Sequence, residues 1–158
     1  MAISAKGNPK VVHGKLNVQS HRATDTQTWK AGEFCYATSG AYSPVANDGV
    51  NIDGQFMQDQ TASTSSSDVW VGVIPSSSVI FEGYTCSATS DAAVARTNKN
   101  IPYALTVSSN QHMIDVSDTG HDAVVITDVA WDYEPFKNSS TDSPGKCKFY
   151  VLTAALEA

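Results

Sequence analysis

At 158 residues, 41% of them hydrophobic, the chain fits one domain built on one core, and a second full domain has no room. Ten Lys and Arg against sixteen Asp and Glu leave a net charge of -6, which opposes broad attraction to phosphate backbones and argues against nucleic acid as a partner. No window approaches the roughly 18 apolar residues of a membrane span, and Met1 to Lys6 lacks the apolar run of a signal peptide, so the expectation is a soluble protein made in the cytoplasm with no membrane partner.

Residues 1–30 carry few large apolar side chains, without helical period, and include Gly7-Asn8-Pro9 and the polar stretch from Ser20 to Thr28. They read as an extended N-terminal arm, with a β domain over 31–158 that folds without it. Val11, Val12, Leu16, Val18 and Trp29 are the spaced anchors by which such an arm would grip a partner, and Trp29 suits this role because it stands between Thr28 and Lys30.

Short strands follow. Glu33 to Thr38, a Ser39-Gly40 turn, Tyr42 to Val45, an Asn47-Asp48-Gly49 turn and Val50 to Ile52 suggest a meander or barrel. Gln55 to Gln58 continues it, and Asp59 to Asp68 is a Ser/Thr-rich surface loop. Val69 to Ile74 and Val79 to Thr85, joined across Pro75 and three serines, read as neighbouring strands at the centre of the core, with Trp70 packed inside. Ser90-Asp91 resembles a helix cap, so one short helix is expected to run to Arg96. Strands at Tyr103 to Ser108, His112 to Val116, Ala123 to Val129 and Lys146 to Ala154 complete an all-β reading, with Trp131 also packed in the core. Ser and Thr make up about a fifth of the chain, a bias that favours strands and turns.

The residues that could carry chemistry are few. Asp118-Thr119-Gly120 is the tripeptide of aspartic proteases, but Ser117 and His121 flank it where those enzymes have apolar and small residues, so it reads as an Asx-type turn. Asp115, Asp118 and Asp122 bracket a glycine and could offer oxygens to a hard cation, yet no bidentate Glu closes the loop, and turn capping is the reading we adopt. His13, His21, His112 and His121 lack zinc-site spacing. Cys35, Cys86 and Cys147 are odd in number and widely spaced, which suggests reduced, buried thiols rather than disulfides. Asn138-Ser139-Ser140 matches a glycosylation acceptor that matters only on a secretory route. No cofactor motif and no metal site is assigned.

The order of features resembles a family of bacteriophage capsid decoration, or cement, proteins. The pieces that carry the resemblance are Ala31-Gly32-Glu33, a short strand ending Asp53-Gly54, a strand unit ending Phe81-Glu82, a small crossover, Tyr103-Ala104-Leu105, the acidic stretch Asp115 to Thr119 and the strand Val124 to Asp128. Such a resemblance implies a compact single-domain β-barrel or tulip-like sandwich. It also implies a homotrimer that binds the major capsid protein of an HK97-type shell on the outer surface of the virion, and no catalytic residues. A glycan- or receptor-binding surface module is the alternative, and an aspartyl hydrolase a more distant one.

Overall fold

A computed structural model describes residues 3–24, 27–60 and 68–156. The expected Ser/Thr loop at 61–67 lies outside the described residues. The strands are β1 (Lys10–His13), β2 (Asn17–Arg22), β3 (Phe34–Thr38), β4 (Ala41–Pro44), β5 (Gly54–Phe56), β6 (Asp68–Val73), β7 (Ile80–Ser87), β8 (Ser90–Asp91), β9 (Pro102–Ser108), β10 (Gln111–Asp115), β11 (Val124–Val129) and β12 (Lys146–Val151). One-turn helices α1 (Ala130–Tyr133) and α2 (Thr153–Leu156) follow β11 and β12. The protein is all-β, and no helix of the described residues is long and apolar enough to cross a membrane.

The strands form two sheets. In the larger, β7, β10, β9, β11 and β12 pair in turn, and β12 returns to β7, so the ring closes into a five-strand barrel with β1 and β8 also paired to β7. The smaller runs β2-β6-β5-β3-β4, and its outer strands meet where Ala23 bridges Tyr42. Alternation explains the barrel strands: Cys147, Phe149 and Val151 of β12 face the core, while Lys146, Lys148 and Tyr150 face outward. The β3–β4 hairpin turns through Ser39 and Gly40 with φ of 50° and 80°, the left-handed pair that matches strand twist.

Two cores result. Phe34 of β3 reaches out of its own sheet to meet Phe81 and Phe149 of the barrel edge-on, at 5.3 and 6.2 Å between ring centres, and so belongs to the large core. Beneath the other sheet, Ala23, Trp29, Cys35, Phe56, Val69 and Val71 form a small core. The three cysteines are free and buried, and burial raises each thiol's pKa.

Several expectations are corrected. β6 and β7 do not pair: they lie in different sheets, because Val69 and Val71 of β6 fill the small core while Phe81 of β7 fills the large one. The helix expected from Ser90 is absent. Ser90–Asp91 is strand β8, and only Arg96–Asn98 forms a 3₁₀ turn, because the segment between crosses the barrel with Ala92 accepting from Gly145 N–H and Val94 buried in the large core. Val50 to Ile52 is not a strand.

The N-terminal segment is no free arm. β1 is hydrogen-bonded to β7 and β2 to β6, so both are already strands of the domain. Ahead of them the chain is held by side-chain amides: Gln111 Oε1 accepts from Lys6 and Gly7 N–H, both at 2.6 Å, and Gln111 Nε2 donates to Ser4 O at 3.0 Å. Asn8 Oδ1 accepts from His112 N–H and its Nδ2 donates to Asn110 O, while Gln55 Nε2 donates to both Pro9 O and Gly32 O. Residues 4–22 thus strap the two sheets together.

Candidate functional site

The strap determines which of the five expected anchors stay available. Trp29 does not. It is 1% exposed, its ring stacks on Phe56 at 4.0 Å between centres, and its indole N–H donates to Gln58 O at 3.0 Å. An indole with its polar edge satisfied and its face covered is a core residue, which corrects its reading as a partner anchor. Val11 is half-buried against the large core, and Val12 lies exposed beyond it on β1.

Leu16 and Val18 come together with residues that sequence reasoning had placed elsewhere. Val18 pairs with Gly72 and Ser20 with Trp70, so Val18 and Trp70 share the outer face of the β2–β6 pair. Met57, whose backbone N–H donates to Trp70 O, extends the same face past β5. Because Gly72 has no side chain, Leu16 and Met57 close over it: a Cβ there would lie 2.7 Å from Leu16 Cδ1 and 3.0 Å from Met57 Cε. Val18 and Trp70 remain 56% and 55% exposed, and Met57 37%. Trp70 is therefore outside, not in the core as expected. The strand's own alternation accounts for this, since Val69 and Val71 on either side of it point inward. Trp131 is half-buried on α1 against the large core, donating from its indole N–H to Val94 O.

Apolar side chains around a glycine on a sheet face are suited to burial against another surface, and a large exposed Trp is the type of residue that dominates such contacts. β2 is exposed along nearly its whole length, from Asn17 to Ser20 and again at Arg22. Among the described residues it pairs along one edge with β6, while at its far end the His21 ring lies 4.7 Å from that of Tyr42 and Ala23 bridges Tyr42 of β4.

The acidic turn is arranged differently from the expected trio. Asp115 is buried and its carboxylate accepts from Ala88 N–H, Ser117 N–H and the hydroxyls of Ser117 and Thr106, so it is committed to turn structure. Asp118 Oδ1 accepts from Gly120 N–H at 2.7 Å, the Asx turn expected of this tripeptide. The other oxygen of Asp118 lies 2.9 Å from His121 Nδ1. This hydrogen bond lowers the Asp118 pKa and raises that of His121. Asp48, from the distant 47–49 turn, joins the pair with ligand atoms within 4.8 Å, and Asp122 is not one of this group. The three groups are an exposed ion-paired corner.

One titratable group is buried at the junction of the sheets. His112 Nδ1 accepts from Phe34 N–H at 3.3 Å, and Nε2 lies 2.8 Å from Val45 O, so the ring is neutral with its proton on Nε2. Burial pushes its pKa down to about 4. It ties β10 of the barrel to β3 and to Val45, which follows β4 of the other sheet.

These features define an all-β domain with a surface suited to docking. No protein-family model matches the chain, and no curated protein matches it in sequence.

Proposed function

We propose that this chain is a non-enzymatic decoration protein that binds the outer surface of an assembled phage capsid and cements neighbouring subunits. The observation that carries the binding role is the exposed apolar trio of Val18, Met57 and Trp70 on the outer face of β2, β6 and β5. The order of sequence features resembling decoration proteins supplies the identity of the surface. Selective affinity for the mature shell would stabilise it by mass action, and self-association as a homotrimer would engage several capsid subunits at once.

The test is co-sedimentation with expanded, undecorated capsids of the encoding phage. The wild-type chain is expected to pellet at fixed stoichiometry, and Val18→Ser with Trp70→Ser to reduce affinity at least about tenfold. Failure of the wild-type chain to pellet, or unaltered binding by the double variant, would remove this reading.

A further inference from the structure

The outer face of the barrel carries a charge pattern that capsid docking through Trp70 does not use. Lys10, Glu82 and Lys148 lie side by side across β1, β7 and β12, with Tyr84 opposite Lys146 in the next row. Lys6 Nζ stands 5.9 Å from the centre of the Tyr84 ring, and Lys148 Nζ 4.3 Å from that of Tyr133. Counting Lys137, five of the ten Lys and Arg residues gather here in a chain of net charge -6. Where the face meets the 137–144 loop there is a cleft of about 280 Å³, lined by Lys6, Tyr84, Lys137, Asn138, Asp142 and Lys146, with Ser143 at its side.

The ammonium groups differ in how well they are compensated. Lys146 sits 3.2 Å from Glu134 and 3.5 Å from Glu82, and so is neutralised within the fold. Lys137 reaches Glu134 only at 4.0 Å, and Lys6 makes no ion pair among the described residues. Lys6 and Lys137 are both exposed, and Phe136, next to Lys137, is fully exposed.

We propose that this cleft binds an acidic saccharide, a sugar bearing a uronate or sulfate group. The two weakly compensated ammoniums would hold the anionic group. The carboxylate, amide and hydroxyl of Asp142, Asn138 and Ser143 provide the mixed acceptors and donors that ring hydroxyls require. A nucleic acid fits less well, since Glu82, Glu134 and Asp142 set three carboxylates among the five lysines and would repel a continuous phosphate chain. A neutral sugar would leave the lysines without a counter-charge.

The probes are trigalacturonate and a heparin-derived tetrasaccharide, with maltotriose, pyrophosphate and a short single-stranded oligonucleotide alongside, all followed by titration calorimetry. At least one acidic saccharide is expected to bind saturably with a Kd on the order of 1 mM or tighter, maltotriose is not, and Lys6→Gln with Lys137→Gln is expected to weaken binding about tenfold. Since both lysines are exposed, the double variant should keep the wild-type melting temperature, and its capsid co-sedimentation should be unchanged, which separates this site from the Trp70 face. The proposal is overturned if neither acidic saccharide binds by about 10 mM, if the double variant binds either one undiminished, or if maltotriose, pyrophosphate or the oligonucleotide binds more tightly than both.

Discussion

The large core and the small core are assembled by different means. The large one has eighteen buried residues, ten of them on barrel strands, and Phe34 from the other sheet packs with Phe81 and Phe149 across its middle. The small one has six buried residues and rests on a single stack, Trp29 on Phe56. Between them runs a polar seam in which Asn8, Gln55, Gln111 and His112 are satisfied by backbone groups from distant segments. The barrel is thus held by repeated packing, whereas the smaller sheet depends on a few specific contacts and on the strap that passes over both. On the outer face of that smaller sheet Val18, Met57 and Trp70 stay exposed.

The largest test of this contrast is removal of the strap. Deleting residues 1–28 takes away β1, β2 and the chain that Gln55, Gln111 and His112 bind, so the truncated protein is expected to lose its cooperative unfolding transition and its near-ultraviolet circular dichroism. A truncated protein with a native spectrum would show that residues 31–158 fold alone, as the sequence had suggested.

Next in size is the pair of tryptophans. Trp29→Ala should destabilise by about 3–5 kcal/mol, because it empties the centre of the small core. Denaturant unfolding measures this directly.

Acid should strain the seam next. The folded-state pKa of His112, about 4, lies below the ordinary 6.5. Between these values the unfolded chain binds a proton that the folded chain does not, so this residue's contribution is complete above about pH 6.5 and declines as pH falls toward 4, where it levels off. The gap amounts to about 3 kcal/mol. Denaturant midpoints measured from pH 7 to 4 should show that decline, and His112→Gln should flatten it. An equal slope in the variant would assign the acid sensitivity to other groups.

The smallest effect on stability is expected at Trp70. Trp70→Ala should change it by within about 0.5 kcal/mol, since the side chain faces solvent. A loss comparable with that of Trp29→Ala would place Trp70 in the fold rather than on a docking face.

Part of the barrel is legible in the sequence because strands such as Lys146 to Val151 alternate cleanly, and in the smaller sheet the Ser39-Gly40 turn marks its own hairpin. The strap is not legible. Its few apolar residues look insufficient for folding, and the amides that hold it, Gln55 and Gln111, stand far along the chain, where one sequence offers no sign of pairing. Trp29 was misplaced for the same reason: its neighbours are polar, and its true partner, Phe56, lies on another strand. Of the docking face, Leu16 and Val18 were read from sequence as anchors. Trp70 could have been added by applying strict alternation to Val69, Trp70 and Val71. Met57 joins them only through the β5–β6 pairing, which no local pattern announces.

The central claim is that this outward apolar face meets the capsid, and hydroxyl-radical footprinting tests it most directly because Trp70 and Met57 are both readily oxidised. In the free protein both should be modified, and on expanded capsids both should be protected at least about fivefold while exposed Phe136 keeps its reactivity. Capsid-bound protein in which Trp70 and Met57 oxidise as they do in solution would contradict the account.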